Sequence, residues 1–258
     1  MQAKSIKGKS TEEIKTALDQ SMADGFSPTL AICFISKSLN RVAIAGMLDA
    51  AGITVFGCTT NGEFIDEQTD KNSAAILLMD MNKEYFELYF EEYPGKNYRA
   101  VAKKIAGKAK EKFNTPAFLI GTSDAAADGE EILRGIEEVA GAGVNAFGGA
   151  AGDDYTFSQT FVFSNGKDSG NALVCIALDE SNVKIKGIAT CGWKPVGTEK
   201  LVTKSEGNHV YTVDNIPVLD LTTKYGGIEN VTPENQNLLI EIAANFPLHL
   251  QREKGDPI

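Results

Sequence analysis

A short run of polar residues early in the chain offers several groups that could bind or attack a small molecule. They are the Cys58 thiol, the Thr59 and Thr60 hydroxyls, the Asn61 amide and the Glu63 carboxylate. In a loop that follows a buried strand, such short side chains leave backbone N–H groups accessible to a ligand. The same run is compatible with a tight turn, in which the hydroxyls and the amide bond neighbouring backbone groups. Both interpretations are open.

A second loop carries the clearer indication of close backbone approach. It reads Gly148-Gly149-Ala150-Ala151-Gly152-Asp153-Asp154, so that almost no side chain precedes two carboxylates. Glycine and alanine permit two backbone segments to pack tightly, and they equally permit a ligand to reach the main chain. In the second case Asp153 and Asp154 are expected to accept hydrogen bonds from ammonium or hydroxyl groups, whereas two carboxylates would repel a phosphate.

The two loops end related segments of the chain. Residues 52–64 recur in part as residues 143–155, with identities at three paired positions. These pairs are Gly52/Gly143, Phe56/Phe147 and Gly57/Gly148. The sequence therefore predicts an internal duplication. Because ligands bind beyond the carboxyl ends of parallel strands joined by crossover helices, both loops are expected to line one polar pocket.

Three more residues are candidates for contact with a ligand in this pocket. Thr122 and Ser123 follow the strand that opens the second copy, at the same predicted edge. This position also suits capping of the next helix by Ser123, Asp124 or Asp128. Trp193, the single tryptophan, lies in a turn with glycine and proline. Its indole is suited either to stacking on a ligand or to packing over the seam between the two halves.

Catalysis and metal binding have weaker support in the sequence. A cysteine nucleophile needs a base or a cationic neighbour to lower its pKa. The chain has only two histidines, His209 and His249, both far from Cys58 along the sequence, and its four cysteines form no C-x-x-C pair. We therefore expect a non-catalytic site with no metal and no cofactor. A hydrolase or transferase that uses Cys58 or a carboxylate pair is the alternative.

The sequence around these loops predicts the strands and helices that hold the loops in place. Each copy has an apolar run of strand length, a helical pattern and a short strand that ends at its loop. The predicted strands cover residues 29–35, 53–56, 117–121 and 144–147. A crossover helix normally joins parallel strands, so each half should hold a parallel pair. Strands linked by short turns follow, one turn being Asn165-Gly166, so the sheets are expected to be mixed.

Helix signals flank these strands. A capping box at Ser10 and Glu13 opens an N-terminal helix, and Asn97 is expected to cap a helix between the copies. The helix of the first copy is predicted to bury one face, which consists of Leu39, Val42, Ala43, Gly46 and Met47. Later elements are strands at 183–190, 200–203 and 209–213, a helix around 217–225 and a last helix from Thr232.

Composition and charge restrict the class of protein. The chain has 258 residues, 43% of them hydrophobic, and a formal net charge of −10. No dense basic patch offers counterions to a phosphate backbone, so we expect no nucleic-acid partner. No apolar run reaches the roughly 20 residues that cross a bilayer, and no secretory signal is visible, so we expect neither membrane insertion nor export. Cys33 and Cys175 lie in apolar runs, which favours a reducing, cytoplasmic location.

With these motifs in view, the chain resembles the FIST sensory domain family. The resemblance rests on residues 56–63, close to the family's Gly-Cys-Ser/Thr-Thr-x-Gly-Glu pattern, on residues 147–154, and on residues 192–197 around Trp193. It implies an intracellular signal-input module for small molecules, amino acids among them. We expect either a separate signalling output protein or simple sequestration of the ligand. Residues 201–225 are similar to the start of the family's C-terminal module. That module normally continues with further strands, so it is expected to be partial here.

These observations together predict an α/β fold of two duplicated strand-helix-strand halves with mixed sheets, plus a partial C-terminal module. Residues 1–28 are assigned to an N-terminal helix and lead-in, 29–199 to the duplicated module, and 200–258 to the partial module. The repeats are placed at about 29–91 and 116–191. The predicted function is non-catalytic binding of a small molecule in signal transduction. The alternatives are the enzyme named above and a protein-interaction scaffold.

Overall fold

The computed structural model of the chain divides into two compact units, Met1–Ile188 and Ala189–Ile258. The residues that the structure describes are 1–66, 68–124, 126–156, 158–188, 194, 197–207, 209–227, 232 and 247–248. Two predictions lie outside these residues. They are the role of Trp193 and the last helix beyond Thr232.

Strands and helices follow one another in a repeated order along the first unit. Its strands are β1 Gln2–Gly8, β2 Leu30–Ser36, β3 Thr54–Thr60, β4 Glu63–Ile65, β5 Gln68–Asp70, β6 Ala74–Asp80, β7 Phe86–Glu92, β8 Pro116–Thr122, β9 Ala146–Ala150, β10 Val162–Ser164, β11 Lys167–Ser169 and β12 Ala172–Asp179. Its α-helices are α1 Thr11–Met22, α2 Arg41–Ala50, α3 Tyr98–Lys112 and α4 Gly129–Ala140.

Two mixed sheets organise this unit. The first has the strand order β1-β6-β2-β3-β10-β11, and the second has the order β7-β12-β8-β9. As the crossover helices predicted, β2 pairs in parallel with β3, and β8 with β9. The other pairings in both sheets are antiparallel. The predicted α/β class with mixed sheets is confirmed.

The two sheets repeat one topology. The path β1-α1-β2-α2-β3-β6 builds the order β1-β6-β2-β3, and the path β7-α3-β8-α4-β9-β12 builds the matching order β7-β12-β8-β9. The structural repeat differs from the predicted one, because it includes β1 and α1, and because β7 opens the second copy. The sequence gives little sign of β1, since only Ile6 and Gly8 of this strand are buried.

One hairpin leaves its own repeat and joins the other sheet. Strands β10 and β11 lie between β9 and β12 along the chain, yet β10 pairs with β3 of the first sheet. A Cβ atom on Gly57 would collide with the ring of Phe163, so this pairing requires glycine in β3. The turn at Asn165 and Gly166 was predicted, and the Asn165 side-chain oxygen accepts a hydrogen bond from the N–H of Val55 (2.7 Å). The hairpin thereby ties the second repeat to the first.

The first unit is a sandwich of four layers. Helices α1 and α2 cover the outer face of the first sheet, and α3 and α4 cover the outer face of the second. The inner faces of the two sheets pack on each other. Buried residues of this inner layer include Leu30, Phe56, Met79, Val174 and Ile176. Burial of each such side chain contributes about 1.5–3 kcal/mol to the hydrophobic stabilisation.

The predicted helix caps are present. The Ser10 hydroxyl accepts a hydrogen bond from the N–H of Glu13 (3.2 Å), whose carboxylate in turn accepts one from the N–H of Lys9 (2.8 Å). Asn97 caps α3, and Asp128 caps α4 by accepting from two first-turn N–H groups. Each of these three helices therefore starts where a side chain satisfies backbone donors of its first turn.

Two predictions about elements are wrong. Helix α2 buries Ile44, Ala45 and Leu48, whereas Val42 is 62% exposed. Because α2 is apolar around most of its circumference, its periodicity could not select the buried face. Residues 183–188 form no strand, although Val183 and Ile185 had the pattern of one. Both side chains are partly buried against the inner layer, so their apolar character serves packing and not strand pairing.

The second unit contains a small antiparallel sheet and one helix among its described residues. Strands β13 Val202–Glu206, β14 His209–Val213 and β15 Ile216–Pro217 pair in that order, and α5 Val218–Gly226 follows. The predicted strands near 200–203 and 209–213 and the helix near 217–225 are confirmed, with small shifts of their ends. In the part of the chain that the structure describes, no helix is long and apolar enough to span a membrane.

Candidate functional site

The two duplicated loops meet in the first unit. The carbonyl oxygen of Thr59 accepts a hydrogen bond from the N–H of Gly152 (2.7 Å), and that of Thr60 accepts one from the N–H of Asp154 (3.0 Å). The Thr59 hydroxyl donates to the carbonyl oxygen of Gly152 (2.5 Å). The end of β3 is thereby joined to the segment that follows β9. The carboxyl ends of β3 and β9, one from each copy, therefore meet at one place in the first unit.

Asn61 and Gly152 make this close approach possible. The side-chain oxygen of Asn61 accepts hydrogen bonds from the N–H groups of Asp153 (2.9 Å) and Tyr155 (3.3 Å). A Cβ atom on Gly152 would lie 2.6 Å from that oxygen and 2.7 Å from the carbonyl carbon of Thr60. Such distances are too short for non-bonded atoms. Glycine is required at position 152 because another part of the protein occupies the space.

A cavity of about 610 Å³ lies against this joined edge, between the ends of the two sheets, and it is open to solvent at Phe34, Asn61 and residues 148–150. Its lining residues are Phe34, Phe56, Cys58, Thr59, Thr60, Asn61, Gly62, Leu119, Ile120, Gly148, Gly149, Ala150, Ala151 and Gly152. All of these lie in the described part of the chain, and none carries a charged side chain. The volume is within the roughly 300–1,000 Å³ that is typical of small-molecule sites.

The surroundings of two glycines show where this cavity is open and where protein atoms fill the space. A Cβ atom on Gly149 would have no atom within 4 Å, so this position of β9 faces open space. A Cβ atom on Gly121 would collide with the sulfur of Cys58 and would lie 3.0 Å from Val174. The thiol of Cys58 therefore packs against the second sheet and bounds the cavity on that side.

The carboxylates predicted to hold a ligand are bonded to other parts of the protein. Asp153 is 7% exposed, and one of its carboxylate oxygens accepts from the N–H of Ser158 (2.7 Å) and the hydroxyl of Thr156 (2.9 Å). Asp154 accepts from the Ser36 hydroxyl (2.6 Å) and the N–H of Lys37 (3.2 Å). Neither residue lines the cavity. This geometry does not favour either of them as a ligand contact.

Glu63 has a comparable role in the first loop. It is 2% exposed, and its carboxylate accepts from the hydroxyls of Thr60 (2.6 Å) and Ser73 (2.8 Å). A buried carboxylate is stable only when hydrogen bonds or charges compensate its lost hydration. Glu63 therefore fixes the loop after β3 against the segment before β6. It does not line the cavity either.

Thr122 and Ser123 are buried in the second copy, away from the cavity lining. The Thr122 hydroxyl shares a hydrogen bond with that of Tyr93 (2.8 Å), and the Ser123 hydroxyl accepts from the N–H of Ala172 (2.9 Å). Their contacts link the end of β8 to neighbouring strands. Of the capping residues proposed for α4, Asp128 has that role.

The structure brings the remaining predicted residues together at the cavity. They are Cys58, Thr59, Thr60, Asn61, Gly148, Gly149, Ala150 and Gly152. Cys58 is 5% exposed, and burial raises the pKa of its thiol to about 12. At neutral pH this thiol is protonated, which is the opposite of what a cysteine nucleophile requires. The geometry does not favour the enzyme hypothesis at this residue.

The apolar walls of the cavity are not among the residues predicted from the sequence. Phe34 and Phe56 come from the first sheet, and Leu119 and Ile120 from the second. Strands β2 and β8 are apolar on both faces because helices cover one face and the other sheet covers most of the second, while Phe34 near the end of β2 is 44% exposed. The only available signal was alternation along the strand, which places Leu30, Ile32 and Phe34 on one face.

Comparison with known proteins gives a family. The model of the FIST N domain family matches residues 29–216. The chain therefore belongs to the FIST N domain family, whose members are in general sensory domains in signal transduction. No match is found among curated proteins. The match ends in β15, and the partial C-terminal module stays a prediction.

Proposed function

We propose that this chain is the sensing part of a signal-transduction system and that it binds a small molecule in the cavity between its two repeats. One observation carries the proposal: the loops that end β3 and follow β9, one from each repeat, join beside a cavity of about 610 Å³. Membership of a family of sensory domains supports the same function. Binding and not chemistry is the proposed activity.

A ligand in this position contacts both repeats at once. Phe34 and Phe56 of the first sheet face it from one side, and Leu119 of the second sheet faces it from the other. A ligand shifts a conformational equilibrium only by its different affinities for the two states. A molecule that fills the cavity favours the state in which the Thr59–Gly152 hydrogen bonds hold the loops together. That preference is the proposed signal.

The proposed setting is the cytoplasm, where a separate output protein would respond to the occupied state. Cys33, Cys58 and Cys175 are free and buried, which is typical of proteins in a reducing compartment. A net charge of −10 disfavours a nucleic-acid partner. The interaction-scaffold hypothesis has support from exposed apolar side chains such as Phe64, which is 79% exposed. Such a surface is compatible with contact to an output protein.

A thermal-shift screen of metabolites against the wild-type chain and Gly149→Leu tests this function. Position 149 accepts a side chain without backbone strain, because its φ is not in the left-handed region and the space beyond its Cβ is empty. The leucine is expected to occupy the cavity and to abolish the ligand-induced rise in Tm. At a ligand concentration of 100 Kd that stabilisation amounts to about 2.7 kcal/mol.

Gly46→Leu is the matched control. Gly46 lies on the exposed side of α2, outside the cavity lining, and a Cβ there also meets no atom within 4 Å. This variant should keep the full ligand-induced shift. A ligand that stabilises Gly149→Leu as strongly as the wild type would contradict binding in this cavity.

A further inference from the structure

We infer that the cavity selects an uncharged ligand with an aromatic or branched apolar body and one polar, hydrogen-bonding end. The inference rests on the proposed function, since it names the chemical class of the molecule bound there. It differs from the resemblance-based expectation of amino acids, which are zwitterions at neutral pH.

The walls of the cavity fit an apolar body. Phe34, which is 44% exposed, supplies an aromatic ring, and Leu119 supplies a branched chain from the opposite sheet. Phe56 is 1% exposed, so only a small part of its ring borders the cavity. Cys58 adds a neutral thiol, because its burial raises the pKa to about 12. Aromatic side chains attract an aromatic ligand through offset or edge-to-face contacts in addition to the burial of apolar surface.

Among the described residues that line the cavity, none supplies a carboxylate for a ligand ammonium group. Glu63, Asp153 and Asp154 are the acidic groups of the two loops, and all three are held by backbone N–H or hydroxyl donors of the protein. An ammonium group would have to displace those donors. Buried groups that lose their partners are costly, so the displacement would weaken binding.

Among the described residues, no cationic side chain lines the cavity to pair with a ligand carboxylate. Lys37 and Arg41 are the cationic residues nearest in sequence to the Phe34 wall. The Lys37 ammonium group donates to the Ser158 hydroxyl. The Arg41 guanidinium group donates to both carboxylate oxygens of Asp168 (2.5 and 2.8 Å), and it lies 3.6 Å from the centre of the Phe161 ring. Neither side chain is among the lining residues.

The rim supplies hydrogen bonds for one polar end. Among the described strands β9 pairs with β8 alone, so its other edge presents backbone N–H and C=O groups beside Gly149. The side-chain oxygen of Asn61 is bonded to the second loop, which leaves its NH₂ group as a donor at the rim. A hydroxyl or amide group can use such donors and acceptors without bringing a charge.

Two matched pairs of probes test the inference on the full chain by calorimetry and thermal shift. The pairs are 2-phenylethanol against phenylalanine and indole-3-ethanol against tryptophan. Within each pair the aromatic body is the same, and the zwitterionic end is replaced by a hydroxyl. We expect the alcohol to bind at least tenfold more tightly than the amino acid. Unpaired charges in an apolar cavity account for that difference.

The Gly149→Leu and Gly46→Leu variants distinguish failure of the proposed ligand class from failure of the proposed function. Alcohols that bind the wild type and Gly46→Leu, but not Gly149→Leu, support the inference. Amino acids that bind as tightly as the alcohols, and lose binding in Gly149→Leu, overturn the ligand class but leave the function standing. No binding of either alcohol up to millimolar concentration also overturns the ligand class. Binding that Gly149→Leu leaves unchanged, with the variant folded by circular dichroism, overturns both.

Discussion

At the scale of single residues, two glycines of the second loop have opposite surroundings. A Cβ atom on Gly152 would meet the Asn61 side chain and the Thr60 backbone at 2.6 and 2.7 Å, whereas one on Gly149 would meet nothing within 4 Å. The same residue type thus serves two purposes three positions apart. Gly152 permits contact between the loops, and Gly149 leaves the cavity empty.

The alanine variants of these glycines are expected to differ in stability. Gly152→Ala should lower the free energy of unfolding by about 1–3 kcal/mol, because the backbone of Thr60 cannot move away cheaply. Gly149→Ala should leave it unchanged or raise it by about 0.4–1 kcal/mol, because alanine restricts the unfolded chain. Urea unfolding measures both. Equal effects of the two substitutions would contradict the described contact between the loops.

Sequence patterns located the loops but not the partners of their acidic groups. Gly152 and Asn61 stood out because glycine and asparagine cluster where strands end. The hydrogen-bond partner of Asp154 is Ser36, which lies 118 positions away along the chain. A carboxylate that accepts protein donors and one that awaits a ligand look the same in sequence. Only the fold distinguishes them.

At the scale of elements, strand-helix-strand units were predictable and their assembly was not. Apolar runs and caps specified the parallel pairs β2/β3 and β8/β9. The Asn165-Gly166 turn specified a hairpin, but no local signal indicated that β10 would pair with β3 of the other repeat. In that pairing the ring of Phe163 packs over Gly57, and these two residues are far apart in sequence. Register between distant strands is a property of tertiary packing.

Helices α3 and α4 contact each other closely on the outer face of the second sheet. A Cβ atom on Gly135 would lie 2.5 Å from the carbonyl oxygen of Arg99, so the two helices approach closely at this glycine. Beyond it, the Glu138 carboxylate pairs with Arg99 and with Lys103, whose ammonium nitrogen is 2.9 Å away. These exposed ion pairs are expected to add modestly to stability.

The contribution of Glu138 to stability should depend on pH. The hydrogen bond from Arg99, assisted by Lys103, lowers the Glu138 pKa from its ordinary value of 4.5 to about 2. Because the folded-state pKa is the lower one, the stabilisation is present above about pH 4.5 and is lost as the pH falls toward 2. Glu138→Gln should therefore be less stable than the wild type at pH 6 and nearly equal to it near pH 2.

Urea unfolding across this pH range measures the difference between Glu138→Gln and the wild type. About 1 M salt is the control, because it screens exposed charges and should reduce the difference at pH 6. A difference that stays constant from pH 6 to pH 2 would show that the carboxylate charge does not stabilise the helix pair.

At the scale of the whole molecule, the first unit places a cavity where two copies of one topology meet. Each copy covers the outer face of its sheet with two helices, and the inner faces form a shared apolar layer. The cavity is the part of that layer which β9, with its glycines, leaves unfilled. We propose that ligand occupancy of this cavity is coupled to the contact between the two repeats.

The central claim is that one ligand engages both repeats, and hydrogen exchange followed by mass spectrometry tests it most directly. The full chain is compared with and without a bound probe, at a concentration that calorimetry shows to be saturating. We predict slower amide exchange in residues 58–62 and 148–154 together, with α1 and α3 unchanged, and no slowing in Gly149→Leu. Protection confined to one of the two loops, or found only outside them, would contradict the account.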